Sequence, residues 1–145
     1  MTESPRTYRI ALVEDNPGDI YLIQEALREK KIPYTLDIFE DAEKIVERLA
    51  ERHTESPDSL PDLILLDLNL PRIEGIDLLR SLRGLDGLAD IPIGILTSSQ
   101  SPQDRQQAEA AGASRFIRKP TSLDEFLAVV GGSISEMLQV DRTAS

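Results

Sequence analysis

The sequence predicts an α/β fold in which a five-stranded parallel sheet carries helices on both faces, a (βα)5 arrangement. Five short apolar segments alternate along the chain with five segments of helical periodicity. Most of the strand segments are continuous apolar runs, which is typical of parallel strands that are buried on both faces. The length of 145 residues, without internal repeats or a long linker, favours a single domain over residues 1–145.

The strands are predicted from apolar or alternating runs that end in turn residues. They cover residues 8–13, 35–39, the run D-L-I-L-L-D-L-N-L-P at 62–71 with its strand ending at Asp67, 91–97, and 114–118. Because only 4% of the residues are aromatic, the core must consist mainly of leucine, isoleucine, valine and alanine.

The first helix is predicted to begin after a cap supplied by Asn16 or Asp15, with Pro17 at its first position. The other helices are expected at 41–53, 74–83, 102–111 and 123–138. The folded core therefore covers about residues 8–138, and 139–145 are expected to form a frayed tail. Gly131 and Gly132 inside the last helix indicate either a bend or a close approach of another helix.

The charge balance excludes several classes of function. With 26 acidic and 16 basic residues the net charge is −10, which disfavours binding to nucleic acid or to an anionic membrane. The absence of cysteine excludes disulfides and thiolate metal sites. No segment has the pattern of a signal peptide or the apolar length of a membrane span, so we expect a cytoplasmic protein.

Chemically distinctive side chains follow four of the five predicted strands. Glu14 and Asp15 follow the first strand, Asp67 ends the third, Thr97 ends the fourth and Lys119 follows the fifth. The carboxyl ends of parallel strands lie at one edge of the sheet, where ligands bind in open α/β folds. Three clustered carboxylates require a cation, and their hard oxygen ligands suit Mg²⁺ or Mn²⁺. A hydroxyl and an amine beside such a site can hold a phosphoryl group.

These segments resemble the motifs of response-regulator receiver domains of two-component signalling. The motifs are E-D after the first strand, L-L-D-L-N-L-P with Gly75 four residues past the proline, L-T-S, and F-I-R-K-P. The similarity extends over residues 8–138, with the motifs in the family's order and spacing. It implies the flavodoxin-like receiver fold and a switch that is controlled by phosphorylation.

The resemblance also implies roles for the acidic residues. Asp67 is similar to the family's phosphoacceptor, which becomes an aspartyl phosphate and also binds Mg²⁺. Asp15 would bind the metal directly, and Glu14 would act through metal-bound water. Asn69 would offer its backbone carbonyl to the metal.

The remaining motif positions correspond to the residues that read the phosphorylation. Thr97 and Lys119 would bind the phosphoryl oxygens. Phe116 lies at the position of the family's switch aromatic, which turns inward when the residue at Thr97 is drawn toward the phosphoryl group.

The start of the first helix, L-V-E-D-N-P-G-D-I-Y-L-I-Q-E-A-L, resembles single-domain regulators that are paired with phytochrome histidine kinases. This implies a sensor histidine kinase as the partner and a bacterial phytochrome as its candidate identity. Related regulators form homodimers through their last helices. The last helix here has a long apolar stripe that fits this expectation: Leu127, Val130, Ile134, Met137 and Leu138.

The resulting hypothesis is a single-domain response regulator that catalyses only its own phosphotransfer and dephosphorylation. Because only residues 120–145 follow Lys119, we expect no separate output domain and signalling through protein partners. One alternative is a haloacid-dehalogenase-like Mg²⁺ phosphatase, but that class uses a second aspartate where this chain has Asn69. A second alternative is a receiver-shaped adaptor that is never phosphorylated.

Overall fold

The computed structural model describes residues 7–67 and 72–139. One parallel sheet of five strands, in the order β2-β1-β3-β4-β5, forms its centre. The strands are β1 (Tyr8–Val13), β2 (Tyr34–Phe39), β3 (Leu63–Asp67), β4 (Ile93–Thr97) and β5 (Arg115–Arg118).

Five helices connect or follow the strands. They are α1 (Pro17–Glu29), α2 (Ala42–Glu55), α3 (Arg72–Arg83), α4 (Pro102–Ala110) and α5 (Leu123–Leu138), and a 3₁₀ turn covers Pro57–Ser59. The strict alternation and the all-parallel pairing confirm the predicted fold class. Among the described helices, none is long and apolar enough to cross a lipid bilayer.

The observed bounds differ from the predicted ones at a few ends. Helix α2 continues to Glu55, two residues beyond its predicted end, and α3 begins two residues before its predicted start. Strand β4 begins at Ile93 because Pro92 has no N–H for the ladder, although its carbonyl still accepts from the Ile64 N–H at 3.0 Å.

Helix α1 begins at an Asn16 cap, which decides between the two predicted caps. The Asn16 side chain accepts hydrogen bonds from the N–H groups of Gly18 at 2.8 Å and Asp19 at 3.2 Å. Two of the amides that a helix N-terminus leaves without a helical partner are thereby satisfied.

The core has two layers because successive strand residues point to opposite faces of the sheet. Ile10 and Leu12 pack with α1 and α5 on one face. Ala11 and Val13 pack with α2, α3 and α4 on the other. All five residues of β3 are buried, as expected for the central strand.

The two glycines of α5 have different surroundings. A Cβ on Gly131 would stand 3.1 Å from the Ala26 carbonyl oxygen of α1 and 3.0 Å from Lys30 Cγ, whereas a Cβ on Gly132 would have nothing within 4 Å. Of the two predicted explanations, a close helix–helix approach therefore applies to Gly131.

The apolar stripe of α5 is used largely inside the molecule. Val130, Ile134 and Leu138 are buried, and Leu127 and Met137 pack against the same core layer. The large apolar side chains that α5 does expose are Leu123 and Val129. The length of the stripe is therefore explained by packing against the sheet and α1, and the predicted dimer must rest on other residues.

The strand order reverses between β1 and β3, since the chain proceeds from β1 outward to β2 and then returns to the other side of β1. Such a reversal opens a crevice at the carboxyl ends of the two strands. Glu14 follows β1 and Asp67 ends β3, so the topology brings both acids to this crevice.

Candidate phosphoryl and metal site

Glu14 is buried immediately after β1. Its N–H continues the sheet by donating to the Phe39 carbonyl at 3.0 Å. Oε1 accepts hydrogen bonds from the N–H groups of Asp15 at 3.0 Å and Asn16 at 2.8 Å. Oε2 is also buried but has no hydrogen-bond partner among the described residues, so half of this carboxylate is available to a ligand.

Asp67 is the last residue of β3, and its side chain is fully buried. Among residues 7–67 and 72–139, no group donates a well-aligned hydrogen bond to either oxygen, although Lys119 Nζ forms an ion pair with Oδ1. Burial and the neighbouring Glu14 raise the pKa of Asp67 to about 8, although Lys119 acts in the opposite direction. A bound cation would reverse this shift, because it favours the ionised carboxylate.

Lys119 follows β5 and is fixed at both its backbone and its side chain. Its N–H donates to the Thr97 carbonyl at 2.7 Å, which places it beside the end of β4. Its Nζ contacts Asp67 and lies 3.0 Å from Asp19 Oδ2. Burial alone would lower the pKa of Lys119, but the carboxylates of Asp67 and Asp19 outweigh burial and raise it.

Asp19 is a residue of this site that the sequence analysis missed. It lies in the first turn of α1, and one oxygen from each of Glu14, Asp19 and Asp67 falls within 4.8 Å of the others. The signal was present in the run E-D-N-P-G-D, whose last acid falls in the first turn of the predicted first helix.

The donor set fits a divalent cation. Within the part of the chain that the structure describes, buried carboxylate oxygens of Glu14 and Asp67 accept no hydrogen bond, so a ligand can satisfy them. Hard oxygen ligands of this kind are those that Mg²⁺ and Mn²⁺ prefer. The site therefore combines a cation-binding acid group with a buried lysine.

Comparison with known proteins decides the family. The model of the response regulator receiver domain family matches residues 10–131. This chain belongs to the response regulator receiver domain family.

Two of the similar proteins are the response regulators Rcp1 and RcpA. Response regulator Rcp1 of Synechocystis sp. is 31% identical over 130 residues, which cover 90% of this receiver and 88% of Rcp1. The structure of the phosphorylated cyanobacterial phytochrome response regulator RcpA is 30% identical, with a TM-score of 0.78, covering 97% of this receiver and 100% of RcpA. The Mn²⁺-bound form of Rcp1 is 29% identical, with a TM-score of 0.74 and coverage of 95% and 99%.

These findings confirm the receiver prediction and favour it over the phosphatase alternative. The site brings together Glu14, Asp67 and Lys119 from the predicted set. Asp15 is exposed and lies outside the group of close carboxylates, so its predicted role as a direct ligand stays a prediction. Asn69, predicted to offer its carbonyl, lies outside the described residues.

The two predicted switch residues lie in β4 and β5 of the receiver. Thr97 is half-buried, and its Oγ1 accepts a hydrogen bond from the Ser99 N–H at 3.1 Å. Phe116 is half-buried and packs against the core layer of α2, α3 and α4. Their roles in switching stay predictions.

Proposed function

We propose that this receiver domain is a phosphorylation-activated response regulator that accepts a phosphoryl group on Asp67. The observation that carries the proposal is the environment of Asp67, a fully buried carboxylate at the mouth of the crevice. Lys119 lies beside it, and no described residue donates a hydrogen bond to its oxygens. Structural packing alone gives no reason to bury a carboxylate in this way.

The proposed reaction transfers a phosphoryl group from a phosphohistidine. An Asp67 oxygen attacks the phosphorus, the P–N bond breaks as the O–P bond forms, and the imidazole leaves. Lys119 would contact the transferred oxygens and balance their charge. Mg²⁺ or Mn²⁺, held by Glu14, Asp67, Asp15 and the Asn69 carbonyl, would supply further positive charge to the phosphoryl oxygens.

The response to phosphorylation is proposed to run through β4 and β5. The Thr97 hydroxyl would move toward the phosphoryl group, and Phe116 would turn into the space beside it. This movement would alter the surface of α4, β5 and α5 and so control binding to other proteins. The domain would catalyse only its own phosphorylation and dephosphorylation.

The phosphorylation is tested with acetyl phosphate and Mg²⁺. The expected product is heavier by one phosphoryl group, stable in acid and labile in base, and absent from Asp67→Asn. Asp58→Asn removes an exposed acid from the 3₁₀ turn and should be phosphorylated normally. A wild-type protein that stays unmodified would favour the adaptor alternative, and modification of Asp67→Asn would exclude Asp67 as the acceptor.

A sensor histidine kinase is the proposed donor, in the cytoplasm, with a bacterial phytochrome as its candidate identity. The similarity to Rcp1 and to RcpA, a phytochrome response regulator, supports this assignment. Radiolabelled phosphate should pass from an autophosphorylated phytochrome kinase to this receiver within seconds to minutes, and more slowly from an unrelated histidine kinase. Equal rates from both kinases would contradict the phytochrome pairing.

We also propose that the receiver forms homodimers through α5 and that its signal passes by protein–protein contact. The exposed Leu123 and Val129 provide apolar surface on α5 for this contact.

A further inference from the structure

Asp19 lies at a helix position where an acidic side chain commonly caps the helix, but in this receiver Glu14 makes that hydrogen bond. It is the third residue after the Asn16 cap, where an acidic side chain commonly reaches back to the N–H of the cap residue. In this receiver the Asn16 N–H donates instead to Glu14 Oε1 at 2.8 Å. The Asp19 carboxylate turns to Lys119, whose Nζ lies 3.0 Å from Oδ2.

Lys119 is therefore held between two carboxylates on different elements. One belongs to Asp67 at the end of β3, and the other to Asp19 in the first turn of α1. The lysine side chain is 11% exposed and that of Asp19 is 22% exposed, so solvent screens this contact less than it screens a surface ion pair. A lysine has a flexible four-carbon stem, and a second anchor restricts where its ammonium group can lie.

One oxygen from each of Glu14, Asp19 and Asp67 lies within 4.8 Å of the others, and we take the space beside these three oxygens as the ligand space. A phosphoryl group on Asp67 would need the lysine ammonium at that space. Of the two carboxylates that contact Lys119, Asp67 is itself the proposed nucleophile, so its contact with Lys119 must change during the reaction, whereas the contact with Asp19 need not.

From this geometry we propose that Asp19 is a positioning residue for Lys119, holding its ammonium group beside Asp67 for phosphoryl transfer. The proposal rests on the proposed function for its consequence in the reaction, whereas the Asp19–Lys119 contact can be tested without phosphorylation. It also connects the start of α1 to the site, since Asp19 is fixed by the cap of that helix.

The first experiment measures the contact in metal-free protein. Acetylation of Lys119 by an amine-directed reagent is followed by mass spectrometry and compared with Lys30, Lys31 and Lys44 in the same chain. An ammonium group held by two carboxylates is shielded from the reagent, so Asp19→Asn should accelerate acetylation of Lys119 by about threefold to tenfold, the equivalent of losing one hydrogen bond. The other three lysines should not change.

The matched control is Asp124→Asn, which removes an exposed acid from the first turn of α5. It should leave Lys119 acetylation unchanged. Asp19→Glu keeps the charge and should restore slow acetylation. Equal acetylation of Lys119 in wild type and Asp19→Asn would overturn the proposal.

The second experiment measures the reaction. With saturating Mg²⁺, Asp19→Asn should lower the maximal rate of phosphorylation by acetyl phosphate about tenfold, with little change in the half-saturating donor concentration, because a misplaced group lowers the reaction step rather than binding. An unchanged maximal rate would overturn the positioning role. Unchanged Lys119 acetylation together with a large loss of Mn²⁺ affinity would overturn it in favour of a metal-ligand role.

The two proposals fail in different ways. If the wild type is not phosphorylated but Asp19→Asn still accelerates acetylation of Lys119, the proposed function is contradicted and the Asp19–Lys119 contact is supported. If wild type and Asp19→Asn are phosphorylated at equal rates, the proposed function is supported and the positioning role of Asp19 is contradicted.

Discussion

Asp67 is a residue whose charge depends on its surroundings. Its pKa is about 8 in the metal-free fold against 3.8 ordinarily, because burial and Glu14 both disfavour the ionised form. Between these two values the folded state holds a proton that the unfolded chain has lost. The contribution of Asp67 to the free energy of unfolding is therefore fully present below about pH 4 and is lost as pH rises toward about 8.

This linkage gives the first prediction. In EDTA, Asp67→Asn should become progressively more stable than wild type as pH rises from 5 to 8, by up to about 1.4 kcal/mol per pH unit. Urea unfolding of both proteins at pH 5, 6, 7 and 8 measures the difference. Asp58→Asn should show no such trend, and a difference that is constant with pH would contradict the prediction.

Gly87 cannot accept a side chain without strain, both because of its backbone conformation and because His53 fills the space beside it. Its φ is +86°, and a Cβ there would stand 2.3 Å from His53 Nδ1. Left-handed backbone is strained for residues other than glycine. The loop after α3 thus depends on glycine to pass over the only histidine of the chain.

The second prediction is that Gly87→Ala lowers the free energy of unfolding by about 1–3 kcal/mol. In a His53→Ala background the loss should shrink to the backbone strain of about 1 kcal/mol. Gly84→Ala is the control, since its Cβ would meet only ordinary contacts at 3.5 Å or more. Denaturant unfolding of the double-mutant cycle measures the coupling, and purely additive losses would refute the contact with His53.

At the scale of elements, α5 approaches α1 closely at Gly131 but not at the next residue, Gly132. A Cβ on Gly131 would stand 3.1 Å from the Ala26 carbonyl oxygen, whereas a Cβ on Gly132 would face open space. Two adjacent residues of the same type in the same helix therefore have opposite consequences on substitution. Substitutions at Gly131 and Gly132 therefore distinguish the effect of helix propensity on stability from the effect of packing against α1.

The third prediction follows from this pair. Gly132→Ala should stabilise the protein by about 0.5–1 kcal/mol, because alanine favours the helix over glycine. Gly131→Ala should gain nothing or lose about 1 kcal/mol, because α1 must shift to admit the methyl group. Thermal and urea unfolding measure both variants, and equal stabilisation by the two would contradict the close approach.

Arg83, the last residue of α3, joins three segments at the opposite end of the sheet from the site. Its guanidinium donates to the carbonyl oxygens of Gly112 at 2.8 Å, Leu88 at 2.9 Å and Ile91 at 2.7 Å. It also donates to Ser114 Oγ at 3.1 Å. The loop before β4 and the turn before β5 are thereby held to the end of α3.

The fourth prediction is that Arg83→Lys lowers the free energy of unfolding by about 2–4 kcal/mol, although the charge is kept. An ammonium group cannot reproduce the planar fork, so several carbonyl oxygens lose their partner. Arg80→Lys changes an exposed residue of the same helix and should alter stability little. Chemical unfolding compares the two, and equal effects would contradict the role of Arg83.

On the scale of the whole molecule, the sequence predicted the fold because apolar periodicity and strand ends are local signals. The alternation of elements and the convergence of Glu14, Asp67 and Lys119 followed from it. Asp19 was missed because its role depends on Glu14 accepting the Asn16 N–H, a tertiary detail. The apolar stripe of α5 was assigned to a dimer because the sequence does not show that α1 and the sheet already cover it.

The last prediction concerns association of two whole receivers. Each carries a net charge of −10, so two copies repel each other, and dimerisation should strengthen as ionic strength rises. Val129 is 44% exposed on α5, and Ile38 is 42% exposed on the edge strand β2. If α5 forms the interface, burying a new charge there should weaken the dimer by about tenfold or more.

Analytical ultracentrifugation with and without acetyl phosphate measures this at two salt concentrations. Val129→Glu should shift the receiver toward monomer, and Ile38→Glu, which adds the same charge to a similarly exposed position, should dimerise about as wild type does. Equal weakening by both variants would assign the effect to net charge alone. A wild type that stays monomeric in every condition would refute the dimer, and signalling would then pass through contacts of a single receiver with its partners.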